Sequence, residues 1–188
     1  MTWVIVILAV AAVLAIGAVL IERRRTGALR SRFGPEYDRV VDVRGDRRQA
    51  EAHLRGRIKA RRALAVDDLS PAARERYVTQ WRAVQASFVD EPRQALAAAV
   101  QLVDQVAAER GYRPADDADD DDAPDTMDMV AVDHAHEAAD VRAARTTLAG
   151  RDDASIDDLR SAFIGCRGLF DALVGSDATA RIRVGRES

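Results

Sequence analysis

The chain has 188 residues, a hydrophobic content of 48% against only 5% aromatic residues, a formal net charge of −3 and one cysteine. A lone cysteine, Cys166, excludes an intramolecular disulfide. With so few large side chains, one modest domain is the most the length supports, and its core forms only if those side chains all turn inward.

The small net charge hides two blocks of opposite sign. Residues Glu22 to Arg62 hold 14 basic and 6 acidic residues, whereas Arg113 to Asp128 hold 1 basic residue and 8 aspartates. Separated blocks of this kind say more about partners than the total does. Lys59 is the only lysine and asparagine is absent, which fits a GC-rich coding sequence. The arginine bias by itself is therefore no sign of phosphate recognition.

Residues 2–21, from Thr2 to Ile21, carry no charge and are followed at once by Glu22-Arg23-Arg24-Arg25. A helix of that length spans roughly 30 Å, the thickness of a bilayer's hydrocarbon core, so the stretch predicts a transmembrane helix. No lysine or arginine precedes it, unlike the basic start of a secretory signal. Ala15-Ile16-Gly17 is the one place where a signal peptidase has a small-x-small site, which defines the alternative of a cleaved, secreted or periplasm-facing protein. The basic residues near the span, Arg23, Arg24, Arg25, Arg30 and Arg32, all follow it. The positive-inside rule then puts the N-terminus outside and the body in the cytoplasm, with Trp3 at the outer interface. The same five arginines, in a basic juxtamembrane segment over 22–34, are candidate contacts for anionic membrane lipid at roughly 1 kcal/mol each.

Residues 35–112 read as a helical region. Gly34 and Pro35 break the preceding run and Pro35 opens a new helix. From Glu36 to about Arg62 the apolar stripe is thin (Tyr37, Val40, Val41, Leu54 and Ile58), with Gly45 interrupting it. A solvated spacer with i,i+4 charge pairs is the reading favoured over lipid or nucleic-acid contact. After a connector from Ala63 to Leu69, Ser70-Pro71 forms a cap followed by proline at the first helical position. Tyr77, Trp81, Val84 and Phe88 then share one face, expected to be the centre of the core rather than a binding surface. Leu96, Val100, Val103 and Val106 continue in a helix ending at Gly111.

Residues 113–132 read as an acidic, disordered linker. Asp117, Asp119 and Asp121 have calcium-loop spacing with Asp128 at position 12. Asp122 stands where the turn needs glycine, however, and Pro124 is a further misfit, so no metal ligand is assigned. Residues 133–175 read as a helical hairpin packing with the preceding helices. Asp133 caps its first helix, from about His134 to Ala149, and Ser155 with Asp158 caps its second. Ile156, Leu159, Phe163, Cys166, Phe170 and Leu173 repeat at 3 and 4, which makes Cys166 a core residue rather than a nucleophile. His134 and His136 diverge on a helix and cannot share an ion. Residues 176–188 read as a disordered tail.

Phe33-Gly34-Pro35-Glu36-Tyr37-Asp38, Arg74-Glu75-Arg76-Tyr77, Gln80-Trp81-Arg82-Ala83-Val84-Gln85 and Phe88-Val89-Asp90 together resemble a family of small, uncharacterised bacterial membrane-anchored or secreted helical proteins. Glu109-Arg110-Gly111-Tyr112, Val132-Asp133-His134 and Asp158-Leu159-Arg160 extend the resemblance, which runs from about Phe33 to Leu173. The aspartate run departs from that pattern. The resemblance carries no activity and no catalytic residue to this chain.

The expected fold is all-α: an N-terminal transmembrane helix followed by a small bundle of four to five helices. No phosphate-cradling glycine loop, GxSxG elbow or metal motif stands in the sequence, so no catalytic, cofactor or metal residue is assigned. The expected function is a single-pass membrane protein presenting a cytoplasmic helical adaptor or scaffold. Its expected partners are membrane lipid and a protein; nucleic acid and a small-molecule substrate are disfavoured. An enzyme whose site is assembled from distant residues is the second alternative.

Overall fold

The computed structural model describes residues 26–113, 124–150 and 154–175, together with Trp3, Gly17 and Arg24. All regular structure among the described residues is α-helical. Apart from Trp3 and Gly17, the expected membrane span lies outside the described residues, as do most of the aspartate run and the C-terminal tail. Among the described residues no helix is long and apolar enough to cross a membrane. The chain divides into two compact units with the boundary between Leu54 and Arg55.

In the first unit, residues 26–33 are helical, α1 spans Pro35–Arg44, and α2 begins at Arg47 and runs on to Ala63. Gly45 ends α1 in the left-handed region, its N–H returned to the Val41 carbonyl. Leu29, Phe33, Tyr37, Val40, Ala50 and Leu54 are buried. With them lie two carboxylates that composition alone would place in water: Glu36 is 1% exposed and Glu51 3%. Arg39 grips Glu36 through two hydrogen bonds, at 2.9 and 2.7 Å. Glu51 Oε1 accepts from the Thr26 hydroxyl at 2.8 Å and the Tyr37 hydroxyl at 3.1 Å, with Arg47 at 3.4 Å. Burial, and then the bond to Glu51, push the Tyr37 hydroxyl above its ordinary pKa. A buried carboxylate is tolerated only when its oxygens are bonded in this way. The solvated-spacer expectation for Glu36 to Arg62 is thereby corrected. Five large apolar side chains are too few to fold this stretch by area, but two of its acidic residues, Glu36 and Glu51, turn inward and find partners.

In the second unit α3 spans Pro71–Ser87, α4 Pro92–Glu109, α5 Thr126–Asp133, α6 Ala135–Ala149 and α7 Ile156–Val174. Ser70 caps α3 by accepting from the Ala73 N–H at 3.2 Å, ahead of Pro71 at the first helical position. Ser155 and Asp158 form the reciprocal capping box at the start of α7. The pair α6–α7 is antiparallel: a Cβ on Gly165 would come within 2.8 Å of Asp140 Cβ, and one on Gly168 within 4.0 Å of Glu137 Cγ. Position 165 thus needs glycine for the close approach of the two helices. Helix α7 also packs on α4, and α4 on α3.

Trp81, at 0% exposure, is the centre of this core. Phe170 stacks on it with centroids 4.6 Å apart and Phe163 tilts against it at 5.3 Å. Tyr77 is buried, and Val84 and Phe88 pack on the same cluster half-buried, so the expected aromatic face is internal. In α7, Leu159, Phe163, Cys166, Phe170 and Leu173 are buried as the repeat implies, whereas Ile156 is exposed.

Two sequence boundaries are corrected. The linker was expected to reach Val132, but Thr126–Asp133 is helical and buries Met127, Met129, Val130, Ala131 and Val132. An eight-residue helix is too short to show a period in sequence and owes its stability to packing. Asp133 does not cap α6. It is the last residue of α5, and the single residue His134 separates the two helices.

Gly111 closes α4 at φ +94, where the connector from the first helices passes directly over it. Asp67 N–H donates to the Arg110 carbonyl at 3.0 Å, and a Cβ on Gly111 would run into the Ala65 carbonyl. Gly111→Ala is expected to lower stability by roughly 3 kcal/mol through backbone strain and displacement of the connector. Denaturant unfolding of the full chain in mild detergent measures it, and a change within about 0.5 kcal/mol, the range of neutral surface substitutions, refutes it.

Candidate functional site

Of the five arginines proposed for lipid contact, Arg23 and Arg25 lie outside the described residues. Arg24, Arg30 and Arg32 are exposed. Arg30 is partly engaged within the chain: its guanidinium meets Asp38 at 2.8 Å and stands 5.8 Å from the centre of the Tyr37 ring. An exposed ion pair of this kind is weak and leaves the group open to a competing anion.

The second unit gathers its charges differently. Asp128 Oδ1 is shared by Arg57 at 2.8 Å and Arg142 at 2.6 Å, so one carboxylate ties α2, α5 and α6 together. Its other oxygen accepts from the Asp125 N–H at 3.3 Å, completing a capping box at the start of α5. A carboxylate held by two guanidinium groups inside a helix is unsuited to close a calcium loop. Asp117, Asp119 and Asp121 lie outside the described residues.

Asp133 Oδ2 accepts from Arg61 Nε at 2.6 Å and from the Tyr112 hydroxyl at 3.1 Å, and the Arg61 guanidinium lies 4.9 Å from the Tyr112 ring centre. Arg110 reaches the Leu173 and Asp67 carbonyls at 3.0 Å each. Arg145 meets Asp104 at 2.6 Å, although burial outweighs it and raises the Asp104 carboxyl above its ordinary range. Burial lowers His134, and it pushes the Cys166 thiol up to about 12, leaving it a thiol at neutral pH. Thiolate is the reactive form, so Cys166 is built into the core as a small apolar residue.

An open groove of about 980 Å³ runs between α6 and α7, lined by Asp140, Ala143, Thr147, Ser161, Ala162 and Gly165. Ile164, 63% exposed, stands on its wall. Asp158, also on the wall, is engaged by Ser155, which lowers its carboxyl pKa. The groove offers small, shallow, mostly neutral surface.

One feature of α2 was not singled out in the sequence. Past the unit boundary, Arg55, Lys59 and Arg62 are all exposed and fall on one side of the helix. Their spacings of 4 and 3 were legible, but which side of α2 would face solvent was not. Comparison with protein-family models, curated proteins and solved structures found no match.

Proposed function

We propose that this chain is a single-pass membrane protein that holds a helical body at the cytoplasmic face, where the body serves as an adaptor or scaffold for a protein partner rather than as an enzyme. The observation that carries this reading is the uncharged run Thr2 to Ile21, with arginines on its C-terminal side alone. Trp3, Gly17 and Arg24 are each helical, and Trp3 is 80% exposed, which suits an aromatic anchor at an interface. The body supports the adaptor reading because its arginines and carboxylates pair across helices and its cysteine is a core residue. A membrane-anchored helical body is also what the resemblance around Gln80 to Gln85 implies.

Topology labelling tests the reading. Ala86 is exposed on α3, so Ala86→Cys adds one accessible thiol while Cys166 stays buried. A membrane-impermeant maleimide is expected to leave intact cells unlabelled and to react only after permeabilisation. The chain is expected to resist alkaline extraction and to keep its full N-terminal mass. Labelling on intact cells overturns the orientation. Release by alkali overturns the anchor, and a mature chain starting after Gly17 establishes the secreted alternative.

A further inference from the structure

The groove between α6 and α7 has two unlike sides. On α7 stands Ile164, a large apolar side chain left 63% exposed. On α6 stands Asp140, exposed and in no ion pair among the described residues. Asp158, the other carboxylate of the groove, is held by Ser155, and no lining residue is basic. An open isoleucine facing an open carboxylate suits a segment that is apolar along one edge and cationic along the other. This chain carries one just beyond α7. Residues 176–188, outside the described residues, include Arg181-Ile182-Arg183-Val184-Gly185-Arg186. When extended, that stretch puts Ile182 and Val184 on one edge and Arg181 and Arg183 on the other.

We infer that Arg181 to Arg186 is the occupant of this groove, with Ile182 and Val184 against Ile164 and the guanidinium groups of Arg181 and Arg183 on Asp140. The reach is sufficient. Ile164 lies about 15 Å back along α7 from Val174, the last residue of that helix, and the seven residues from Gly175 to Ile182 extend up to about 23 Å. Gly175 leaves α7 at φ +94, a region that glycine enters freely, so the chain need not continue along the helix axis. Each contact is weak alone, since an exposed ion pair adds little and two aliphatic side chains bury modest area. The short tether offsets this by raising the local concentration to roughly the millimolar range. Docked there, the segment shields Ile164 and closes this face to other peptides. Groove and segment both belong to the second unit, so the inference is independent of the membrane anchor.

The test uses the full chain in mild detergent. Ser161→Cys, exposed in the groove, carries a bimane fluorophore while Cys166 stays buried. Ile182→Trp supplies a quencher that acts only near contact distance and keeps the position apolar. Its introduction is expected to lower bimane brightness at least about two-fold, as for a weak contact held at millimolar effective concentration. The same label at Ala86→Cys, exposed on α3, is the control and should show no such fall. Arg181→Glu with Arg183→Glu should restore brightness, as should Asp140→Asn, and high salt should weaken the quenching. Arg181→Lys with Arg183→Lys should retain it, because charge is what Asp140 recognises.

Unchanged brightness on Ile182→Trp overturns the inference. So does quenching that grows with protein concentration, which assigns the groove to a second copy of the chain. Quenching that survives both the charge reversal in the segment and Asp140→Asn overturns the pairing with Asp140. The segment replacements lie outside the helices, so they decide the matter even where Asp140→Asn lowers helicity.

Discussion

Trp81→Ala is expected to lower the stability of the helical body by about 3–5 kcal/mol, the range for removing a large aromatic from a packed core. The indole is wholly buried between Phe170 and Phe163, and α3, α4 and α7 all contribute to the cluster around it. Neither ring can collapse into the space without shifting α7. Denaturant unfolding of the full chain in mild detergent, followed by far-ultraviolet circular dichroism, reads the loss. Val89→Ala, at a side chain 85% exposed, is the control and should stay within about 0.5 kcal/mol. Trp81 Nε1 has no hydrogen-bond partner among the described residues, so Trp81→Phe sacrifices volume but no bond and should cost far less. Near-native stability of Trp81→Ala would remove this residue from the centre of the fold.

Asp128→Ala is expected to cost a comparable amount, about 3–5 kcal/mol, because it removes the carboxylate that two largely buried guanidinium groups share. The Arg57 side chain is 7% exposed and that of Arg142 17%, and both bond the same carboxylate oxygen. The loss of the Asp125–Asp128 capping box adds to it. A double replacement, Arg57→Met with Asp128→Leu, should be less harmful than the two single losses combined, with a coupling of about 0.5–3 kcal/mol. Additive losses would mean that the two groups do not sense each other. The same carboxylate stood at the last position of the calcium-loop spacing, so its role as a helix clamp and its role as a ligand make opposite claims. Calcium titration of the wild-type chain should leave the unfolding midpoint unchanged.

Parts of this fold were legible because the signals are local. The caps at Ser70 and Ser155 need only residues within one turn, and the 3–4 repeat from Leu159 to Leu173 names its own buried face. Helix α5 was missed because Met127 to Val132 is too short to display a period and follows an aspartate run that reads as solvent-exposed. Asp133 was misplaced for a related reason. An aspartate before an alanine-rich helix looks like a cap, and only the approach of Arg61 and Tyr112, distant in sequence, gives its carboxylate another use. The basic excess of the first sixty residues was counted correctly but not oriented. Counting cannot reveal that Glu36 and Glu51 face inward while Arg48, Arg55, Lys59 and Arg62 face out.

By itself the sequence determined the helical class, the caps at Ser70 and Ser155 and the aromatic face of α3. It also carries the uncharged run Thr2 to Ile21, on which the anchor proposal stands. These follow from spacing along one chain, where hydrogen bonds close within four residues and side chains repeat every turn. Only the tertiary structure decided which charges are spent inside and which remain outside. That choice depends on partners 14 to 71 residues apart, as in Tyr37 with Glu51 and Arg57 with Asp128. A buried carboxylate is stable only once those partners arrive, and no local pattern announces that they will.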